Sequence, residues 1–129
     1  MTSAATTVTP KQAAVSFLEL ASSGQVREAY ARFVGVGFRH HNPHFPGDAA
    51  SLAAAMEQNA AENPDKVYEV QHALAEGDLV AVHGRARLQP GAKDFALCHL
   101  FRFVDGRIVE LWDIAQPEPD NSPNQYGMF

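Results

Sequence analysis

Two side chains in the last third of the chain have the types that proton chemistry requires. His99 opens the run His99-Leu100-Phe101-Arg102-Phe103, and Asp113 closes the run Arg107-Ile108-Val109-Glu110-Leu111-Trp112-Asp113. Both runs are mostly apolar. An ionisable group in such a setting costs free energy unless it is paired, so it is a candidate for function. A carboxylate in an apolar pocket is pushed up by desolvation and becomes a better proton acceptor near neutrality. An imidazole beside it can hydrogen-bond an oxygen on which negative charge develops. Together they suit removal of a proton next to a carbonyl. The plainer alternative is a buried pair that satisfies itself.

Whether they meet depends on the turn at Val104-Asp105-Gly106. With a three-residue loop and Gly106 left-handed, Phe103 faces Arg107 and His99 sits opposite Leu111. Leu97 then sits opposite Asp113, and His99, Leu111 and Asp113 share one face as diagonal neighbours. A two-residue turn instead pairs His99 with Trp112 and sends Asp113 to the other face. On the first reading Trp112 covers the outer sheet face, where an exposed aromatic often marks a subunit contact.

Other polar groups are candidates too. His83 ends Leu79-Val80-Ala81-Val82-His83 and points into the pocket or sits at its rim; structural roles are commoner for a lone strand histidine, and His72 is weaker still. His41 is placed at the pocket mouth, donating to substrate, with Asn42 beside it; His41-Asn42 before Pro43 is alternatively plain turn structure. His40, His41 and His44 are spaced for zinc in principle, but no carboxylate or cysteine completes a ligand set, so no metal is expected. Phe38, Met56, Leu97, Phe101 and Leu111 are the apolar residues expected to contact substrate. Arg85, Arg87 and Arg102 read as solvated strand charges. No phosphate loop, serine elbow or Cys-His pair of recognised spacing is present.

The elements that must hold these residues can be read in turn. Residues 1–8 are small and polar and read as a loose tail, leaving 9–129 as one domain. Thr9 is an N-cap, Pro10 takes the first helical position, and Gln12 completes a capping box. Ala14, Phe17, Leu18 and Ala21 form an apolar stripe that Gly24 ends. A short second helix presents Val26, Ala29, Tyr30 and Phe33. Gly35–Gly47 reads as an ordered loop or short extended piece. Asp48 caps a third helix carrying Leu52, Ala55, Met56 and Asn59, which stops before Pro64. Val67–Ala75, Leu79–Leu88, Phe95–Val104 and Arg107–Ala115 read as strands. Glu76-Gly77-Asp78, Gln89-Pro90-Gly91-Ala92 and Asp105-Gly106 are the turns between them. The tail from Pro117 is extended and packs on a neighbour through Tyr126, Met128 and Phe129.

Helices first and an antiparallel meander after them define an α+β architecture. The helices cover one face of a curved, mostly antiparallel sheet, leaving a pocket suited to a small ligand. Composition narrows the rest. The 129 residues suit one domain, and 46% hydrophobic content supports a core. Ten basic against fifteen acidic residues give a net charge of −5 with no basic run, which argues against nucleic acid. No apolar stretch spans a bilayer and the opening residues have no signal-peptide pattern. One cysteine, Cys98, fits a reducing cytoplasm and reads as a buried structural thiol.

Several stretches resemble one family. His41-Asn42-Pro43-His44 with Pro46 and Gly47, Ala75 through His83, Phe101-Arg102-Phe103, Gly106 through Glu110, Trp112-Asp113 and Gln116-Pro117 are similar to the SnoaL-like polyketide cyclases of the nuclear transport factor 2-like superfamily. The ending, Asn124 to Met128-Phe129, resembles a branch described as SnoaL-like aldol-condensation enzymes. The resemblance implies a cone-shaped α+β barrel, a homodimer and a closed apolar pocket. It implies Asp113 as general base and His99 as the group that stabilises the enolate. The branch more often has an acidic residue where His99 stands and a histidine where Leu111 stands. Pro46-Gly47-Asp48 also departs from its usual order.

The resulting expectation is a cytoplasmic lyase or isomerase without cofactor or metal, acting on a small apolar carbonyl compound. Asp113 is the base; His99, with His83 or His41, orients the oxygen. The alternatives are a non-catalytic ligand-binding or dimerisation module, or an enzyme of the hydratase or epoxide hydrolase type.

Overall fold

The structure is a computed structural model that describes residues 8–129. The loose-tail reading of 1–8 therefore lies outside the described residues except for Val8, which is exposed. Helix α1 (Pro10–Ser22) begins as the sequence indicates. Thr9 Oγ1 accepts from the Gln12 amide at 3.1 Å and Gln12 Oε1 accepts from the Thr9 amide at 3.0 Å. Its buried stripe is Ala13, Ala14, Phe17, Leu18 and Ala21. Gly24, at φ +91°, makes the left-handed turn into α2 (Val26–Phe33). Helix α3 (Ala49–Glu62) starts where the Asp48 carboxylate accepts from the Ser51 amide at 2.8 Å.

Five strands form one open sheet in the order β1-β5-β4-β3-β2: β1 (Val34–His40), β2 (Val67–Glu76), β3 (Leu79–Arg87), β4 (Asp94–Val104) and β5 (Arg107–Pro117). The three helices lie against its inner face. The core sits there, with Phe17, Phe101, Ile108 and Leu111 fully enclosed and the Phe17 and Phe101 rings meeting nearly edge-on at 5.9 Å.

The structure sharpens three readings of the sequence. Val34–His40, which overlaps the stretch read as an ordered loop or short extended piece, is a strand, and it runs parallel to β5. Gly35 permits this: a Cβ there would lie 2.9 Å from the Arg107 Cβ. The sheet has the expected cone form and is left open, with β1 and β2 as its two edges.

The third concerns the last hairpin, which has a two-residue turn. Asp105 at φ 50° and Gly106 at φ 78° take the left-handed geometry such turns need, and Val104 pairs with Arg107. Read alone, this turn sends Asp113 to the outer face. A β-bulge reverses that result. Phe103 pairs with Ile108 and Arg102 with Glu110, so Val109 is an extra residue on β5 and the alternation beyond it shifts by one. His99 therefore faces Asp113 directly rather than diagonally, and Phe101 faces Leu111.

After Pro117 the chain has no helix or strand. The Phe129 ring lies 6.1 Å from the His83 ring with the Arg85 guanidinium 4.6 Å above it, and it stays exposed. Tyr126 is exposed. Cys98 is half-buried on the outer face opposite His83, not in the core.

Candidate active site

The inner face of β3, β4 and β5 and the facing sides of α1 and α3 enclose a cavity of about 230 Å³. The strands contribute Ala86, Leu97, His99 and Asp113. Helix α1 contributes Leu18, Ala21 and Ser22, and α3 contributes Leu52, Ala55, Met56 and Asn59. Asn42 and Phe45 come from the loop after β1, while Lys66 and Tyr68 come from the entry to β2. A wider outer lobe of about 540 Å³ shares Asn42, Asn59, Lys66, Leu97, His99 and Asp113 with it. The α3 stripe legible in the sequence is thus a cavity wall.

Asp113 is half-buried, and Asn42 Nδ2 donates to its Oδ2 at 3.0 Å. Asn42 is itself held on three sides. Its Oδ1 accepts from the His44 amide at 2.9 Å, and its own amide donates to His40 Nδ1 at 3.1 Å. The His40 Nδ1 being an acceptor, the ring proton sits on Nε2, which donates to the Pro46 carbonyl at 2.6 Å. The buried His40 is thus the brace of the loop that carries Asn42.

His99 is buried, and its Nδ1 is enclosed with no hydrogen-bond partner. Burial lowers its pKa to about 4, and the Asp113 charge offsets only part of that. The ring is therefore uncharged at neutral pH. Tyr68 lies edge-on to it, with ring centroids 6.5 Å apart, and its hydroxyl is likewise enclosed without a partner. Burial raises the Tyr68 pKa, so this hydroxyl keeps its proton. The Tyr68 ring occupies the space where a side chain at position 84 would be: a Cβ on Gly84 would come within 2.6 Å of its carbons.

Of the ten residues singled out from the sequence, Asp113, His99, Asn42, Leu97 and Met56 line the cavity. Phe38, Phe101 and Leu111 do not; they lie deeper, in the core. His41 and His83 face the other way. Phe38 and His40 point inward on β1, so the chain's alternation turns His41 outward, where its Nε2 is 2.6 Å from Glu110 Oε2 and its ring stacks on Trp112 at 4.9 Å. Arg39 makes two hydrogen bonds to the same Glu110 at 3.0 and 3.1 Å, and Arg102 a third at 3.4 Å. The bond to His41 and these guanidiniums hold the Glu110 carboxyl below its usual range. On β3, Val82 and Gly84 point inward, and His83 therefore meets His72 outside, Nδ1 to Nδ1 at 3.0 Å. Arg85 and Arg102, read as solvated charges, are each paired with carboxylates, Arg85 with the buried Asp94.

Lys66, Tyr68 and Asn59 join the site only in the folded structure. The helical period placed Asn59 on the right face of α3, and this was the one available signal. Among the described residues no group of three metal-ligating side chains is gathered, and no helix is long and apolar enough to cross a membrane.

An open curved sheet with three helices on its inner face and an apolar cavity holding a carboxylate and an imidazole defines an α+β cone. Residues 14–111 match the model of the SnoaL-like domain, and the chain belongs to that family. The match stops two residues short of Asp113. A loop-truncation variant of IdmH is similar at 25% identity, over 84% of this chain and 93% of that one, with a TM-score of 0.72. Wild-type IdmH from Streptomyces antibioticus, provisionally assigned as a polyketide cyclase, is 23% identical over 83% and 91% of the two chains, with a TM-score of 0.69. An NTF2-like protein of unknown function from Cytophaga hutchinsonii is 18% identical over 87% and 94%, with a TM-score of 0.71. No curated protein matches the chain.

Proposed function

We propose that the chain is an enzyme that removes a proton alpha to a carbonyl of a small, mostly apolar molecule, without a cofactor, leading to aldol-type closure or isomerisation. The observation that carries this reading is the direct cross-strand pairing of His99 with Asp113 at the wall of one apolar cavity. Family membership supports a small-molecule role of the cyclase or isomerase kind.

In the proposed step an Asp113 oxygen takes the alpha proton. The C–H electron pair becomes the enolate double bond, and the carbonyl oxygen takes the charge. The ring of His99, uncharged and with Nδ1 enclosed, offers Nε2–H to that oxygen. The enolate carbon then attacks a second carbonyl, whose oxygen takes the proton back from Asp113, or is reprotonated elsewhere in an isomerisation. Asn42 holds the Asp113 carboxylate in place through Oδ2. His41 and His83, on the outer face, have no part in this step.

The test is deuterium incorporation at the alpha carbon of 1-tetralone in D₂O, followed by NMR. The protein is expected to accelerate exchange over buffer, and Asp113→Asn to remove the acceleration. Equal rates with both proteins would sink the assignment and favour a non-catalytic binding module.

The outer sheet face exposes Ile114 close to Trp112 on β5, and Leu74 on β2 three strands away. On this account the chain forms a homodimer through that face. Sedimentation equilibrium that returns a monomer at micromolar concentration would contradict it.

A further inference from the structure

We infer that Lys66 is the recognition group for a ligand carboxylate, so that the cavity takes a carbonyl compound that is also an acid and holds it in one orientation. This deepens the reading just given and rests on the same cavity being a ligand site.

Lys66 stands in the short connection between α3 and β2. Its amide donates to the Asn63 carbonyl at 3.0 Å, which fixes the backbone. Its ammonium donates to Asn59 Oδ1 at 2.7 Å. An ammonium has three donors, and a neutral amide oxygen satisfies one of them without supplying charge. No carboxylate among the described residues lies within 4.0 Å of it, whereas Arg27, Arg32, Arg39, Arg85, Arg87, Lys93 and Arg102 each have such a partner; Lys11 and Arg107 share the lack but stand away from the cavity. Among the described residues Lys66 is also the only lysine or arginine on the cavity wall, inner or outer lobe.

A half-buried ammonium without a counter-ion is costly, and the cost is relieved when a ligand brings the anion. Burial lowers the Lys66 pKa, as expected of a cation that nothing in the protein compensates. Asp113, the one carboxylate on the cavity wall among the described residues, works in the same sense. It repels a ligand anion from its own neighbourhood, while Lys66 attracts it. An acid bound between them points its carboxylate at Lys66 and presents its other end to Asp113 and His99. The competing account makes Lys66 a structural group that complements the C-terminal end of α3. That account predicts an effect on stability alone.

The experiment compares 2-naphthoate with methyl 2-naphthoate by calorimetric titration of the wild type, Lys66→Gln, Lys66→Arg and Asp113→Asn. Gln keeps a donor for Asn59 but no charge. The wild type and Lys66→Arg are expected to bind the acid about tenfold or more tighter than the ester. Lys66→Gln should lose that preference with ester binding unchanged, and Asp113→Asn should keep or strengthen it. Equal binding of acid and ester by the wild type, a preference that survives in Lys66→Gln, or no binding of either probe would overturn the inference. So would a mass increase at Lys66 after borohydride treatment with 1-tetralone, which would make the amine a covalent group. Binding here needs no turnover. The inference can therefore fail while Asp113 remains the base, and can hold if Asp113 proves inert.

Discussion

Asn42 and Asp113, 71 residues apart in the chain, are joined by one hydrogen bond of 3.0 Å between Nδ2 and Oδ2. The bond constrains one carboxylate oxygen and leaves Oδ1 as the free one. Substituting Asn42→Ala removes the positioning donor and leaves the base itself. Turnover is expected to fall about 10- to 100-fold, with a smaller change in KM, because a misplaced group costs more in the transition state than in binding. Steady-state kinetics of the pair Asn42→Ala and Asn42→Gln would check this. An unchanged kcat in Asn42→Ala would show that Asp113 needs no such support.

Asp113→Asn should separate function from stability. The carboxylate is half-buried and holds one hydrogen bond to a neutral amide, so the isosteric amide should fold with an unchanged or slightly higher Tm. Catalysis, if Asp113 is the base, should fall by about 10²- to 10⁴-fold. Calorimetry and exchange kinetics on the same sample decide the matter.

The burial of His99 has a pH signature. Its folded pKa of about 4 lies below the ordinary histidine value of 6.5. Above pH 6.5 both folded and unfolded rings are uncharged and the group contributes no pH dependence. As pH falls from 6.5 towards 4 the unfolded ring binds a proton that the folded ring refuses, and stability declines. The full difference is on the order of 3 kcal/mol. Urea titrations at pH 7.5 and 4.5 should show this loss in the wild type and a smaller one in His99→Asn. Identical losses would mean that the ring is not enclosed in solution.

Gly84 and Tyr68 make a separate prediction. With a Cβ at position 84 only 2.6 Å from the Tyr68 ring carbons, Gly84→Val must push the ring from the cavity wall. Forced overpacking of this kind costs about 1–3 kcal/mol. Tyr68→Ala should recover part of that loss in the double variant, since it opens the space. Additive effects in the double-variant cycle would refute the contact.

The legibility of the fold followed the locality of its signals. The Thr9 and Asp48 caps, the α3 stripe and the meander of four strands rest on interactions a few residues apart, and each stands near its expected place. Strand β1 is legible only as one of two alternatives because Gly35 and Gly37 lower its strand character and the strand it pairs with, β5, lies some 70 residues on. The two-residue turn at Asp105-Gly106 was readable, but the bulge at Val109 was not. No residue type there signals it, and only the bulge returns Asp113 to the side of His99. His41 was misplaced for a related reason, since the facing of His40 and His41 depends on β1 being a strand. Lys66 is not legible in the sequence because its character comes from what surrounds it, an amide and no acid, rather than from any motif.

The parallel pairing of β1 with β5 governs when the site comes into existence. The β4–β5 hairpin brings His99 and Asp113 together through a short loop and can form early. Asn42 arrives only when β1 docks along β5, with His40 beside Leu111, which closes a loop of some 70 residues. Closing so long a loop is slow. A folding intermediate without β1 would thus carry the two reactive groups with Asp113 unsupported, so the finished site is also a report that the chain has completed its fold.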